Sequence, residues 1–443
     1  MTGEPAAAVS LPSPQRLRVR WKIFLFLFAF GLVAYLQQRG ITVASVEMMP
    51  KLGITQAQIG WLEEALLVGY AFMQFPGGVI GQRLGARRTF VVIGLIAFAA
   101  AMALPLAPLL LSGAALFAVL LGSQLIVGAA QGPIFPVSTG AFQVWFPTNR
   151  WALVVGLQSV GLHLAEVITP PLTAALMVAL GWQWALIWMT LPALPLIAWW
   201  AWYGRDTPSE HPAVGAAELA ELADNAHARV DSSISWERIA VMLRNRDVLA
   251  LTLSYLCMNY VYYLIANWCF LYLVQQRHFS VLDSGWLAAI VPVGGAIGAG
   301  VGGYVADALG VRLGIRTGLR LLPFLALPGA GVLLFVAEDS ANAYLAVAAL
   351  AVCFGLVELT EGPYWAAVMH VAGADAMAAS GLMNTGGNLG GIIATPIIAY
   401  LSGVHAWTPT FLIGTGAAIA SALLWLPVDP TRPLARARAR RTS

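Results

Sequence analysis

Charge is what this chain has least of. Of its 443 residues only 10% are Asp, Glu, Lys or Arg, where an ordinary soluble domain carries about 25%. Apolar residues make up 59% of the chain, and the mean hydropathy is +0.76. A water-soluble globule of this size cannot hide so much apolar surface, because its exterior must still be solvated. Soluble enzymes, nucleic-acid binders and disordered scaffolds are excluded. The composition is that of a polytopic membrane protein.

Cysteine and histidine are scarce too. The three cysteines, Cys257, Cys269 and Cys353, sit inside apolar runs without metal-ligand spacing, which reads as buried packing. No His-rich or Cys-rich set offers a metal centre, and no nucleophile–base constellation stands out, so neither a metal or other cofactor nor an integral-membrane enzyme is expected. The glycine-rich runs lie inside apolar stretches and lack the Gly-Lys-[Ser/Thr] ending of a phosphate loop. With no nucleotide site, any energy source is an ion gradient. A secretory signal is not expected either: Met1 to Gln15 is polar, Arg16, Arg18, Arg20 and Lys22 follow, and the apolar run from Ile23 is too long for an h-region.

Long apolar runs are what the chain does have. A helix needs roughly 20 apolar residues to cross the hydrocarbon core, and twelve candidates meet that need, near 22–46, 57–80, 88–110, 113–140, 151–179, 182–203, 248–273, 281–306, 313–336, 342–371, 376–402 and 408–427. The split between the third and fourth rests only on Pro108 to Gly113. With the N-terminus inside, 21 of the 24 Lys and Arg face the cytoplasm, the other three being Arg39, Lys51 and Arg277. So strong a bias places both termini in the cytoplasm and requires an even number of spans.

One long hydrophilic segment divides the chain. The expected organisation is a cytoplasmic N-terminal segment (1–21), a six-helix bundle (22–204), a cytoplasmic linker (205–247), a second six-helix bundle (248–428) and a basic tail (429–443) that anchors to anionic lipid. The fold class is all-α, with twelve transmembrane helices in two pseudo-symmetric halves and a substrate site near the midplane between them. Weak internal symmetry agrees: Gly78-x-x-x-Gln82-Arg83-x-Gly85-x-Arg87-Arg88 follows the second span, and Gly303-x-x-x-Asp307-x-x-Gly310-x-Arg312 follows the eighth.

These two segments resemble the loop motif of the major facilitator superfamily, in which Arg83, Arg87, Arg88 and Asp307 would serve conformational gating. Further stretches resemble its anion:cation symporter family, carriers of hexuronate, galactonate, glucarate and phthalate. They are Tyr35-x-x-x-Arg39 with Ile41-Thr42-Val43-Ala44, Gly132-Pro133-Ile134-Phe135-Pro136 followed by Trp145-Phe146-Pro147, Tyr203-Gly204-Arg205-Asp206-Thr207-Pro208 with His211-Pro212, and Asn384-Thr385-Gly386-Gly387-Asn388. The resemblance implies alternating access and uptake of a small organic anion, a carboxylate or sugar acid, by proton symport through a bacterial inner (plasma) membrane. The partners implied are that anion, H⁺ and the lipid bilayer, with a monomer as the working unit and no nucleic acid. An exporter of cationic or amphipathic compounds, or an uncoupled uniporter or exchanger of anions, is the alternative.

Arg39 is the most informative single position. A charge in mid-span costs several kcal/mol unless paired or hydrated, and an arginine fork matches a carboxylate. The resemblance assigns the substrate's carboxylate to this arginine, with Tyr35 one turn away on the same face. Gln38 and Gln131 stand where the resembled symporters carry acids, and Gln82 where their loop motif has Asp. An amide can hydrogen-bond a polyol but cannot take up a proton, so coupling at those places is in question. Other acids are present: Glu63 and Glu64 in the second span, Glu166 in the fifth, Glu358 and Glu361 in the tenth. Glu358 and Glu361 are three residues apart and expected on one helix face, where crowding could let one carry a proton. They could instead bind a cationic or polyol group of the substrate, or pair with Arg39. His163 and Glu166 share the same spacing and form a second candidate for proton coupling. Trp365 could stack on a substrate ring. Asn384 and Asn388 in span eleven, and Tyr260, Tyr263 and Asn267 in span seven, form polar stripes that could meet substrate hydroxyls.

Overall fold

A computed structural model describes residues 18–222 and 234–434. Arg16, Asp231-Ser232-Ser233 and most of the basic tail beyond Arg432 lie outside the described residues. Within them there is no β-strand, and the apolar runs form twelve spans. The first three are Val19–Leu52, Gln56–Leu84 and Ala86–Leu106. The fourth is Gly113–Gln131 continued by Ile134–Trp145, the fifth Trp151–Leu180, and the sixth Trp182–Thr190 continued by Ala193–Tyr203. The seventh is Arg246–Gln275, the eighth Val281–Ala288 with Ile290–Leu313, and the ninth Ile315–Asp339. The tenth is Ala343–Glu358 with Glu361–Ala372, the eleventh Ala376–Gly403 and the twelfth Trp407–Leu424.

Ten stretches are long and apolar enough to cross a membrane by length and composition alone. One of them, Ala343–Gly403, holds both the tenth and eleventh spans. The second span falls short by that measure because Gln56, Gln58, Glu63, Glu64, Gln74 and Gln82 dilute it. Of these, Gln58 belongs to the N-terminal cap with Thr55, Glu63 and Glu64 are exposed at the cavity mouth, and Gln74 and Gln82 are buried. The turn between spans three and four is a short 3₁₀ segment, Ala107–Leu109, that follows Pro105.

Two of the helix interruptions bear on the interior. The fourth span breaks at Gly132-Pro133 and the tenth at Leu359-Thr360. Proline lacks the N–H that a continuing helix needs. Glu358 and Glu361 therefore end one helical segment and begin the next, rather than sharing one uninterrupted face as their spacing predicts.

The linker, both described chain ends and the turns after spans two, four, eight, ten and twelve lie at one face. Arg18 and Arg20 bind Glu221 and Glu218 of the linker, with Arg20 Nε 3.0 Å from Glu218 Oε1. Asp429 near the other end donates its backbone N–H to Asp247, 3.1 Å. At this face the two halves meet closely. A Cβ on Gly78 would lie 2.3 Å from the Met377 carbonyl oxygen, and one on Gly303 2.4 Å from that of Ala152. Only a hydrogen fits, and the helices cross with their backbones nearly touching.

Polar contacts fasten the same seam. Asp307 accepts from the backbone N–H groups of Ala152 (3.3 Å) and Leu153 (2.8 Å), at the N-terminus of the fifth span, where unpaired amides and the helix dipole favour a carboxylate. The first-half counterpart, Gln82, cannot supply that charge. Instead it donates to Asp375 (2.7 Å), which stands at the start of the eleventh span and also pairs with Arg238 of the linker at 2.7 Å. Of the other loop-motif residues, Arg83 donates to the Ile234 carbonyl and the Arg87 backbone N–H to Asp206, while Arg88 is exposed.

Candidate functional site

Between the halves lies a cavity of about 600 Å³. Its depth can be read from exposure. Arg39, Thr42, Glu63, Glu64, Asn267 and Thr395 are exposed at the mouth, whereas Tyr255, Trp365, Asn384 and Asn388 are buried at the bottom. The cavity therefore opens at the face opposite the linker, and the glycine seam closes its floor. Spans one, two, four and five supply one wall; spans seven, ten and eleven supply the other.

Arg39 projects from the first span with its side chain 45% exposed. Its single ionic contact among the described residues is Nη2 to Glu166 Oε1, 3.4 Å. Arg39 also lines a side pocket of about 250 Å³, walled mainly by apolar residues including Val43, Ile265, Phe270 and Val291. Tyr35 shares the central cavity one turn below.

From Arg39 a chain of charged groups runs across the interface. Glu166 Oε2 lies 3.3 Å from His163 Nδ1, and His163 Nε2 lies 3.0 Å from Glu358 Oε2, close but off hydrogen-bond alignment. His163 and Glu166 belong to the first half and Glu358 to the second, so this contact spans the halves. His163 and Glu358 are almost fully buried. Two such groups are tolerable in low dielectric only as partners.

Glu361 is held differently. Tyr255 donates its hydroxyl to Oε1 at 2.8 Å, and Trp365 donates Nε1–H to Oε2 at 2.6 Å. Among the described residues no cation pairs with it. Trp365 thus has its N–H engaged, and its ring faces Phe135 of the fourth span at 5.9 Å.

The floor is neutral and polar. Asn384 donates to Gln74 (2.8 Å) and Tyr263 donates to Asn388 (3.3 Å), and Tyr70 lines the cavity with them. Of the candidates drawn from the sequence, Tyr35, Gln38, Arg39, His163, Tyr263, Asn267, Glu358, Glu361, Trp365, Asn384 and Asn388 line this cavity. Glu166 lines the side pocket. Gln131 lines neither: it is 1% exposed, donates to Gln37 and accepts from Gln38, both at 2.7 Å, and so ties the first span to the fourth. Arg83, Arg87, Arg88 and Asp307 are remote from the cavity, at the linker face.

Tyr260 faces away, buried, while Tyr255, Asn259 and Tyr262 complete the stripe on the cavity side. The signal for them was present: 255, 259, 262/263 and 266/267 recur at helical spacing. A second signal is an internal repeat. Gln131-Gly132-Pro133-Ile134-Phe135 reappears as Glu361-Gly362-Pro363-Tyr364-Trp365, at the breaks of spans four and ten. The repeat pairs Gln131 with Glu361 and Phe135 with Trp365, the two rings that meet across the halves.

Comparison with known proteins agrees with this architecture. The Major Facilitator Superfamily profile matches residues 27–395. The chain is 27% identical to the "Probable sulfoacetate transporter SauU" of Cupriavidus necator over 87% of its length and 88% of that protein's. It is 25% identical to the "Hexuronate transporter" of Bacillus subtilis over 90% and 92% of the two lengths, and 26% identical to the "Probable galactarate/D-glucarate transporter GudP" of Escherichia coli over 88% of each. In fold it matches the proton:xylose symporter XylE with a TM-score of 0.74 at 13% identity, covering 95% of this chain and 99% of that one. With both its sequence and its twelve-helix fold accounted for, the chain belongs to the Major Facilitator Superfamily, a family of membrane transporters and not of enzymes.

Proposed function

We propose that this transporter takes up a small organic anion, a carboxylate or sugar acid, by alternating access coupled to proton entry. The observation that carries the reading is Arg39, a guanidinium exposed in the central cavity with one loose ionic contact. A desolvated carboxylate gains most from such a planar, largely unengaged fork. Tyr35, Gln38, Asn384 and Asn388 then meet the polar groups of the bound anion. The sugar-acid and sulfoacetate carriers among the relatives support the substrate class. The excess of Lys and Arg at the linker face supports a cytoplasmic linker in the inner membrane, which makes the described conformation outward-open.

Coupling follows from the charge chain. A substrate carboxylate at Arg39 competes with Glu166 for the same guanidinium. A carboxylate left without its cation in low dielectric takes up a proton, and the Glu166–His163–Glu358 set is where that proton is shared. Because Glu358 sits on the opposite half, protonation loosens the ionic tie between the halves and lets them move. In proteoliposomes, Glu358→Gln is expected to abolish accumulation driven by an inward proton gradient while leaving substrate counterflow, which needs no net proton movement. Full accumulation in that variant would refute the coupling role.

A further inference from the structure

The cavity sets one guanidinium against several acids among its described lining residues, which favours a substrate with a single negative charge over dianions such as sulfoacetate or glucarate. Among the described residues Arg39 is its one guanidinium, and it already shares that charge with Glu166. The opposite wall presents carboxylates: Glu358, matched by His163, and Glu361, matched by no cation among the described residues. Glu63 and Glu64 add negative charge at the mouth. A second carboxylate on a bound substrate would be placed against this wall, where like charges in a low-dielectric site repel strongly.

The surroundings of Glu361 say what it accepts. Its oxygens lie 2.8 Å from the Tyr255 hydroxyl and 2.6 Å from the Trp365 N–H, which can only donate. The rings of Tyr255 and Trp365 flank it, 6.1 Å apart between centroids, and Phe135 of the other half packs against Trp365 at 5.9 Å. With Tyr255 and Trp365 each taking one direction at its oxygens, the remaining lone pairs of Glu361 face the cavity, where an organic ammonium can donate to them. The internal repeat gives the pocket its polarity. Where the first half has Gln131, satisfied by Gln37 and Gln38, the second half has a carboxylate facing the cavity.

We infer that the site is a two-pole receptor for a zwitterion: Arg39 of the first half holds the anionic group and Glu361 of the second holds an ammonium at the far end. The inference rests on the Arg39 reading above. Such a substrate touches both halves through opposite charges and draws them together as the cavity closes.

The test uses two matched series at neutral pH, 6-aminohexanoate, 6-hydroxyhexanoate and adipate, with 4-aminobutyrate, 4-hydroxybutyrate and succinate. Binding to the full chain in detergent is measured by titration calorimetry. The expected order is amino-ended, then hydroxyl-ended, then dicarboxylate in at least one series, with steps on the order of tenfold, about 1.4 kcal/mol each. Glu361→Gln should weaken the amino-ended ligand far more than the hydroxyl-ended one, and Glu361→Asp should restore part of the difference. A dicarboxylate that binds as tightly as the amino-ended ligand, or a Glu361→Gln variant that weakens all ligands equally, overturns the inference while leaving anion binding intact. Arg39→Ala separates the two readings, since binding of every ligand should fall together. Failure of all six ligands to bind the unaltered protein contradicts both.

Discussion

At the scale of single residues, the site places charge where the membrane interior disfavours it. Arg39 is tolerated in mid-span because the cavity hydrates it and Glu166 lies at 3.4 Å. Arg39→Ala is expected to weaken carboxylate binding on the order of 10- to 100-fold, the worth of a charged hydrogen-bonded contact of about 1.5–3 kcal/mol. Arg39→Lys keeps the charge but loses the fork, so it should fall between the two in a binding titration. Outside the membrane, His211 offers a pH-dependent check on the linker. It is buried against Trp145 and Tyr203, and its Nδ1 accepts the Ala213 N–H at 3.2 Å. Burial, followed by the nearby Arg205, with a smaller contribution from Lys22 against Glu218, holds its imidazole below the ordinary value. The folded state thus resists protonation, so its stabilising contribution is complete above about pH 6.5 and shrinks as pH falls below that. Melting temperature measured from pH 8 to pH 5 should decline less in His211→Gln than in the unaltered protein; parallel declines would mean His211 does not titrate with unfolding.

At the scale of elements, the twelve spans were legible because apolar length is a direct requirement of the bilayer. Helix breaks and facing were less so. The spacing of Glu358 and Glu361 suggested one helix face, but the chain breaks at Leu359-Thr360 between them. Each then acquires its own partners, His163 for one and Tyr255 with Trp365 for the other. Gln131 is a site candidate because it stands where the resembled symporters carry an acid, yet it is buried and bonds to Gln37 and Gln38 of the first span instead of lining the cavity. Partners from distant spans decide such outcomes, and no local pattern encodes them. The same dependence makes the linker-face seam testable. Gly78→Val would thrust a side chain into the Met377 backbone. It should disfavour the closed linker face, seen as faster hydrogen exchange at residues 376–381. Unchanged exchange, with unchanged transport, would show that the seam yields without cost.

For the whole molecule, the two halves are related in architecture but divided in charge. The first half contributes Arg39 and amides, Gln82 and Gln131; the second carries acids at the corresponding places, Asp307 and Glu361. The interface is therefore fastened differently at its two ends. Backbone contact and capped helix termini close the linker face, while ionic contacts at His163 and Glu358 cross the midplane. Only the second kind lines the open cavity, while the Asp307 and Asp375 contacts lie at the closed face. In the proposed cycle, substrate and proton entering from the open face would reach the midplane contacts, and the loosened halves would then part at the glycine seam.

The most direct test of this account is uptake of a panel of carboxylates and sugar acids into proteoliposomes, with and without an inward proton gradient. The unaltered protein and Arg39→Ala would be compared side by side. The account predicts that at least one panel member accumulates above its external concentration only when the gradient is present, and that Arg39→Ala abolishes this. Accumulation that survives Arg39→Ala, or equilibration that ignores the gradient, would contradict it.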